Sequence, residues 1–231
     1  MNNLNKFIES KNFISIIQKT YDIYFIHGSR SSKKVDYFHS KIKELIEDYI
    51  SINNLGNTFK CKLEINVPSI NSSGKKKCDI VILKNNVPYT IFPVKIIMTN
   101  YKQNKNNSWE NLTGELCHLK WHPSNNNIHI IPINIILNKI PYLDKSGIIK
   151  NFENITFDDI KNYYILNDRN ITYNQMNFIL DVEHQNIIGE NFNKIPIFKN
   201  FNVNTKYISI NEILEKLLNK KIKIIIIIIK I

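Results

Sequence analysis

Asp79 stands in one apolar run, between Cys78 and Ile80-Val81-Ile82, and Lys95 stands in another, between Val94 and Ile96-Ile97. An ionised carboxylate among such neighbours is costly unless a cation or hydrogen bonds compensate it. The two segments, KKKCDIVIL (75–83) and YTIFPVKIIM (89–98), are joined by a short turn around Asn85 and Asn86. That spacing predicts an antiparallel hairpin with Asp79 and Lys95 on one face. Two readings follow from the residues alone: a simple ion pair on a half-exposed sheet, or part of a catalytic site.

Other residues suit an anionic polymer. The turn His27-Gly28-Ser29-Arg30-Ser31-Ser32-Lys33-Lys34 offers donors at the start of a helix, which suits phosphate. Lys75-Lys76-Lys77 and the stretch Tyr101-Lys102-Gln103-Asn104-Lys105-Asn106-Asn107 add cations and amides of the kind that read base edges. In so Asn-rich a chain, any single loop of this kind is usually just solvated. His118, Trp121 and His122 close a helix, where Trp121 reads as packing and no metal site is expected.

Several elements must position these residues. Residues 1 to 26 read as a short helix followed by an apolar segment, YDIYFI. A helix then starts near Ser31 or Ser32, with Val35, Phe38, Ile42, Leu45, Ile46 and Tyr49 on one face, and Asn53, Asn54 and Gly56 end it. FKCKLEINV (59–67) alternates as a half-buried strand does, and the hairpin strands follow. After the polar TNYKQNKNN, Trp109, Leu112, Leu116 and Leu119 keep helical spacing with Ser108 as a cap. IHIIPINIIL (128–137) reads as a strand buried on both faces. The order helix, three strands, helix, strand predicts an α/β fold with a mixed central β-sheet flanked by helices. From Asn138 onward the chain alternates short apolar pieces with Asn-rich turns, carries one late helix at 211–221, and packs on the same sheet or forms a small satellite.

The 231 residues suit a single domain, 1–231, with a core over about 30–137 and an extension over 138–231. Lys and Arg outnumber Asp and Glu by 31 to 20, giving a net charge of +11, which favours nucleic acid first and an acidic membrane surface second. The abundance of Lys, Asn and Ile is also what an AT-rich coding sequence would produce. Cys61, Cys78 and Cys117 are odd in number and widely spaced, arguing against a disulfide framework or a zinc site and for a reducing cytoplasm. The N-terminus lacks a secretory signal's apolar stretch, and the run Ile224 to Ile229 is too short to span a bilayer.

Residues 75 to 115 as a whole resemble the core of the PD-(D/E)xK nuclease superfamily, in particular type II restriction endonucleases. The predicted order also resembles that family's αβββαβ core, over roughly 30–137. The resemblance implies a Mg²⁺-dependent endonuclease acting on double-stranded DNA, as a homodimer because both strands must be cut. It implies that Asp79 and Lys95 belong to the catalytic centre, with the Val94 carbonyl as a further metal ligand. One position departs from the pattern: Pro93 stands two before the lysine, where the family has an acid. Some members supply that acid from the following helix, which here carries Glu110 and Glu115. With a helix starting at Ser108, Glu110 falls in the first turn and is the expected ligand. Glu115, rotated from it by about 140° at roughly 100° per residue, is the reserve, and Glu44 on the first long helix is an outer candidate. Arg30, Ser31, Lys33, Lys34, Asn104 and Lys105 are the expected DNA contacts. A relative that binds DNA without cutting it, with Pro93 as the scar, or another nuclease of the superfamily is the alternative. A basic protein that binds RNA or a membrane is the third.

Overall fold

The computed structural model describes residues 2–28, 31–203 and 210–218. One end of its sheet is a three-stranded antiparallel meander of β1 (Phe59–Pro68), β2 (Lys75–Lys84) and β3 (Val87–Phe92), with β2 in the middle. Asn85 and Asn86 make the predicted hairpin turn, both left-handed at φ 50° and 66°, as a two-residue turn with the twist of its strands requires.

The strand expected over 89–98 breaks at Pro93, where β3 gives way to β4 (Val94–Ile97). The strand expected over 128–137 breaks likewise into β5 (His129–Ile130) and β6 (Ile133–Leu137), around Pro132. A proline cannot donate to a ladder, so each break marks a change of sheet. β3 and β5 belong to one sheet, β1-β2-β3-β5, and β4 and β6 to another, β10-β9-β6-β4. Between Thr90↔His129 and Val94↔Ile133 no residue is gained or lost. The Ile131 N–H donates to the Ile91 carbonyl at 2.9 Å and that of Ile133 to the Pro93 carbonyl at 2.8 Å, so parallel pairing runs through the bend. The two sheets are therefore halves of one bent, mixed sheet.

The chain beyond Asn138 completes that sheet. β7 (Lys139–Leu143) and β8 (Ile149–Asn154) form a separate hairpin, and a 3-10 helix (Phe157–Tyr164) leads into the short α4 (Ile165–Asp168). β9 (Met176–Glu183) then lies parallel to β6, with β10 (Ile197–Val203) antiparallel beyond it.

Helices cover the sheet. α1 (Asn2–His27) is one continuous helix, and Tyr21 of the YDIYFI segment is fully buried within it. Phe13 packs between Phe38 and Phe178, at ring distances of 6.3 and 4.4 Å. α2 (Lys33–Ile52) buries Phe38, Ile42, Ile46 and Ile50, and α5 (Ile210–Leu218) buries Ile210, Ile213, Leu214, Leu217 and Leu218.

α3 (Tyr101–Lys120) buries Leu112, Leu116 and Leu119 as expected, but begins seven residues before Ser108. Its first turns are fixed from a distance. The Tyr101 hydroxyl donates to the Asp159 carbonyl at 3.0 Å, and Glu153 of β8 accepts from the Lys102 N–H at 3.0 Å, satisfying a donor that the helix start leaves open. The rest of the helix expected at 211–221 and the Ile224–Ile229 run lie outside the described residues.

Candidate functional site at a fork in the sheet

Pairing between β2 and β3 runs from Lys84↔Val87 to Ile80↔Phe92 and stops. Beyond that point β2 stays with β1 as far as Lys75↔Pro68, whereas β4 turns away with β6. A fork opens between the first half of β2 and β4, and Asp79 stands where the strands part. Its Oδ2 accepts from the Val94 N–H at 2.8 Å, replacing the ladder partner that the parting removes. The N–H and C=O of one strand residue leave on the same side, so the Val94 carbonyl faces the same opening.

Glu115 of α3 reaches between the arms. Its Oε2 lies 3.3 Å from the Lys76 Nζ on β2 and 3.9 Å from the Lys95 Nζ on β4. Glu115 is 20% exposed and Lys95 45% exposed, so the group is open to solvent. Ion pairs of this kind contribute only about 0–1 kcal/mol, which leaves all three side chains able to exchange partners with a ligand. The buried Cys78 thiol registers both acids. Burial pushes it up to about 12, the charges of Asp79 and Glu115 add to the rise, and Lys76 opposes it.

A second group lies toward α2. Ser32, Asp36, His39, Leu63, Glu64 and Lys77 line an open cleft of about 580 Å³. His39 is 4% exposed, and its Nε2 has no hydrogen-bond partner among the described residues. Burial lowers its pKa, while Asp79, then Asp36 and Glu64, pull it back up. Glu64 has a left-handed φ of 56°, uncommon in any residue with a side chain, at the point of β1 between Leu63↔Ile80 and Ile65↔Cys78. Its carboxylate pairs with Lys77 at 2.5 Å.

The structure thus joins Asp79 to the Val94 backbone, and Glu115 to Lys95 and Lys76. Glu110 is exposed and joins no ion pair among the described residues. With α3 starting at Tyr101, it falls in the third turn instead of the first. Glu44 is exposed too and pairs with Lys41 at 2.6 Å, five residues from His39 and so turned about 140° away at roughly 100° per residue.

Of the expected DNA contacts, Arg30 lies outside the described residues. Lys33 is exposed at the start of α2, and its N–H donates to the Ser31 Oγ at 3.3 Å. Lys34 donates to the Ser31 carbonyl at 2.6 Å and lies over the Tyr24 ring. Asn104 donates to the Asn100 carbonyl at 3.0 Å and Lys105 pairs with Asp159 at 3.8 Å, so both brace the start of α3.

Lys76 was visible in the sequence only as part of a basic run, and His39, Asp36 and Glu64 were missed. His39 did leave a signal, since it sits three residues before Ile42 inside the apolar stripe of α2.

Among the described residues no group of three or more His, Cys, Asp and Glu side chains is arranged to hold a metal ion. No helix among them is long and apolar enough to cross a membrane. All three cysteines are free and buried. No protein-family model, curated protein or solved structure matches the chain.

Proposed function

We propose that this chain is a Mg²⁺-dependent endonuclease for double-stranded DNA, with a restriction-endonuclease-like core of the PD-(D/E)xK type, acting as a cytoplasmic homodimer. The observation that carries the reading is the fork: a carboxylate at the parting of two strands, a lysine on the diverging arm, and a helix carboxylate beside that lysine.

The donor set suits Mg²⁺ in kind. Asp79, Glu115 and the Val94 carbonyl offer only oxygen, and Mg²⁺ is commonly held by one or two carboxylates with water and phosphate completing its shell. When bound, the ion would supply charge to the scissile phosphate and acidify a water. Glu115 takes the part that Pro93 cannot play.

The remaining work falls to the chain's own groups. Lys95, released from Glu115, donates to the phosphate oxygens as negative charge builds on them, or holds the attacking water in line. Lys76 neutralises phosphate from the opposite arm. Asp79 keeps the Val94 backbone in place through its hydrogen bond. Hydrolysis consumes one water and breaks one P–O bond, leaving a hydroxyl and a phosphate monoester.

The test is digestion of a plasmid of known sequence with Mg²⁺ and, separately, Mn²⁺, followed by sequencing of the ends. Discrete fragments with one repeated end sequence are expected. Asp79→Asn and Glu115→Gln should each lower cleavage by about 100-fold or more, and Glu110→Gln should leave it within about two-fold. No cleavage by the unaltered protein with either metal would reject the enzyme. Binding of duplex DNA without cleavage is the second reading, favoured by Pro93 and by the two lysines already paired with Glu115.

A further inference from the structure

A second pocket lies beyond the C-terminal end of α3. Lys120, His129, Asn167, Asn170, Thr172 and Tyr173 are among the residues lining an open pocket of about 390 Å³, within the roughly 300–1,000 Å³ typical of small-molecule sites. None of these residues belongs to the fork.

The walls differ in chemistry. Tyr173 lines the pocket and is 41% exposed. Behind it the His129 ring stands edge-on at 4.8 Å, and the Tyr89 ring stands edge-on to His129 at 5.1 Å. Tyr89 is anchored through its hydroxyl to the Leu217 carbonyl at 3.0 Å. This backed ring is a stacking surface for a flat heteroaromatic group.

Amides and a hydroxyl stand beside it. The Thr172 hydroxyl donates to the Asn167 side chain, orienting that amide. Asn170 is exposed on a left-handed residue, φ 56°. Amides both donate and accept, as the edge of a nucleobase demands.

Lys120 supplies the charge. Its Nζ donates to the carbonyls of Asn126 at 3.0 Å and Ile128 at 3.2 Å, which fixes the ammonium group and leaves its third N–H for an anion. No carboxylate pairs with it among the described residues, and burial lowers its pKa. A ring for stacking, amides for an edge and a fixed cation for phosphate are the three parts of a nucleotide's recognition.

We propose that this pocket binds one nucleotide, its base stacked on Tyr173 and its 5′-phosphate on Lys120. Lys120 follows Glu115 on the same helix, about 8 Å further along its axis at roughly 1.5 Å per residue. A strand end or unpaired nucleotide leaving the fork could therefore be received there. The inference rests on the nucleic-acid reading of the fork only for the polymer that supplies the nucleotide; the pocket's chemistry stands independently.

The test titrates the full chain, without divalent metal, with dAMP, dTMP, the matching nucleosides and inorganic phosphate, followed by amide chemical shifts. A 5′-phosphorylated oligothymidylate provides the polymer arm. Saturable nucleotide binding is expected, with inorganic phosphate at least about ten-fold weaker. Tyr173→Ala should lose roughly ten-fold or more, while Tyr173→Phe keeps affinity within about three-fold. Lys120→Gln should weaken nucleotides and leave nucleosides unchanged. Asp79→Asn should bind nucleotides normally even where cleavage is lost, so failure of the pocket and failure of the nuclease reading are told apart. Binding of the mononucleotide without the oligonucleotide supports the pocket and makes free nucleotides its ligand. No saturable nucleotide binding, undiminished binding by Tyr173→Ala, or phosphate as tight as nucleotide would each overturn the proposal.

Discussion

Lys95, Asn134 and Asn177 are register partners on three neighbouring parallel strands, β4, β6 and β9, yet the two ends of this row live under opposite rules. At the inner end Asn134 and Asn177 are 1% and 3% exposed, and their side chains bond to each other at 2.6 Å. Four residues further on, just past the end of β6, Asn138 and Asp181 of β9 repeat the motif, also at 2.6 Å. At the outer end Lys95 is 45% exposed and only loosely paired with Glu115. Buried polar groups favour partners, and the Asn134 amide finds its acceptor on Asn177, tying β6 to β9, while the Asn134 Oδ1 has no partner among the described residues. Where strands part, solvent satisfies the polar groups, so they stay available. The row passes from residues that hold the fold to residues that can meet a ligand.

The largest effect that would sharpen this contrast is on cleavage. Lys95→Met should lower Mg²⁺-dependent cleavage by about 100-fold or more, yet shift the unfolding free energy by less than about 0.5 kcal/mol. Urea denaturation beside a cleavage assay checks both. A large loss of stability would show that the fork is structural after all.

Next comes the inner end. Asn177→Leu strips the Asn134 amide of its acceptor and should cost about 1–3 kcal/mol, read from the denaturation midpoint. Replacing both asparagines by leucine should cost less than the two single changes together, because neither amide is then left facing a leucine. Strict additivity would break the comparison.

The smallest effect concerns His184, whose ring nitrogens are divided between the two conditions. Nε2 donates to the Lys139 carbonyl at 2.7 Å, while Nδ1 is buried without a partner among the described residues. Burial lowers its pKa, the bond to Lys139 raises it, and the Lys139 charge lowers it, with a net downward shift. A histidine held below its ordinary value of about 6.5 contributes stability above that pH and loses it as pH falls through the folded value. The melting temperature should therefore drop between pH 7 and pH 5, and His184→Phe should flatten that drop. An equal drop in both proteins would remove His184 from the account.

Local signals explain what the sequence revealed. The turn at Asn85-Asn86 and the apolar stripe of α2 are written in adjacent residues, and both form as predicted. Pro93 was equally visible, but as a gap in a motif; its structural meaning, a change of sheet, needs Pro132 on the neighbouring strand to be recognised. The start of α3 was hidden because Asn100 to Asn107 carry no apolar stripe. Tyr101, Lys102 and Lys105 are held by Asp159 and Glu153, about fifty residues away. The same misplaced start set the wrong turn for Glu110, and so hid that Glu115 is the acid facing Lys95. The joining of β9 and β10 to the sheet likewise depends on long-range pairing that periodicity does not encode.

The placing of Glu115 between Lys76 and Lys95 has a consequence for the order in which ligands arrive. By formal charge the fork is balanced, two carboxylates against two ammonium groups. A balanced site gives a lone cation little reason to stay and a lone phosphate little more. A dication arriving with two neighbouring phosphates leaves the balance intact, and each breaks the ion pairs that hold the other out. On the proposed reading, metal affinity should rise when DNA is present, and by linkage DNA affinity should rise by the same factor when metal is present.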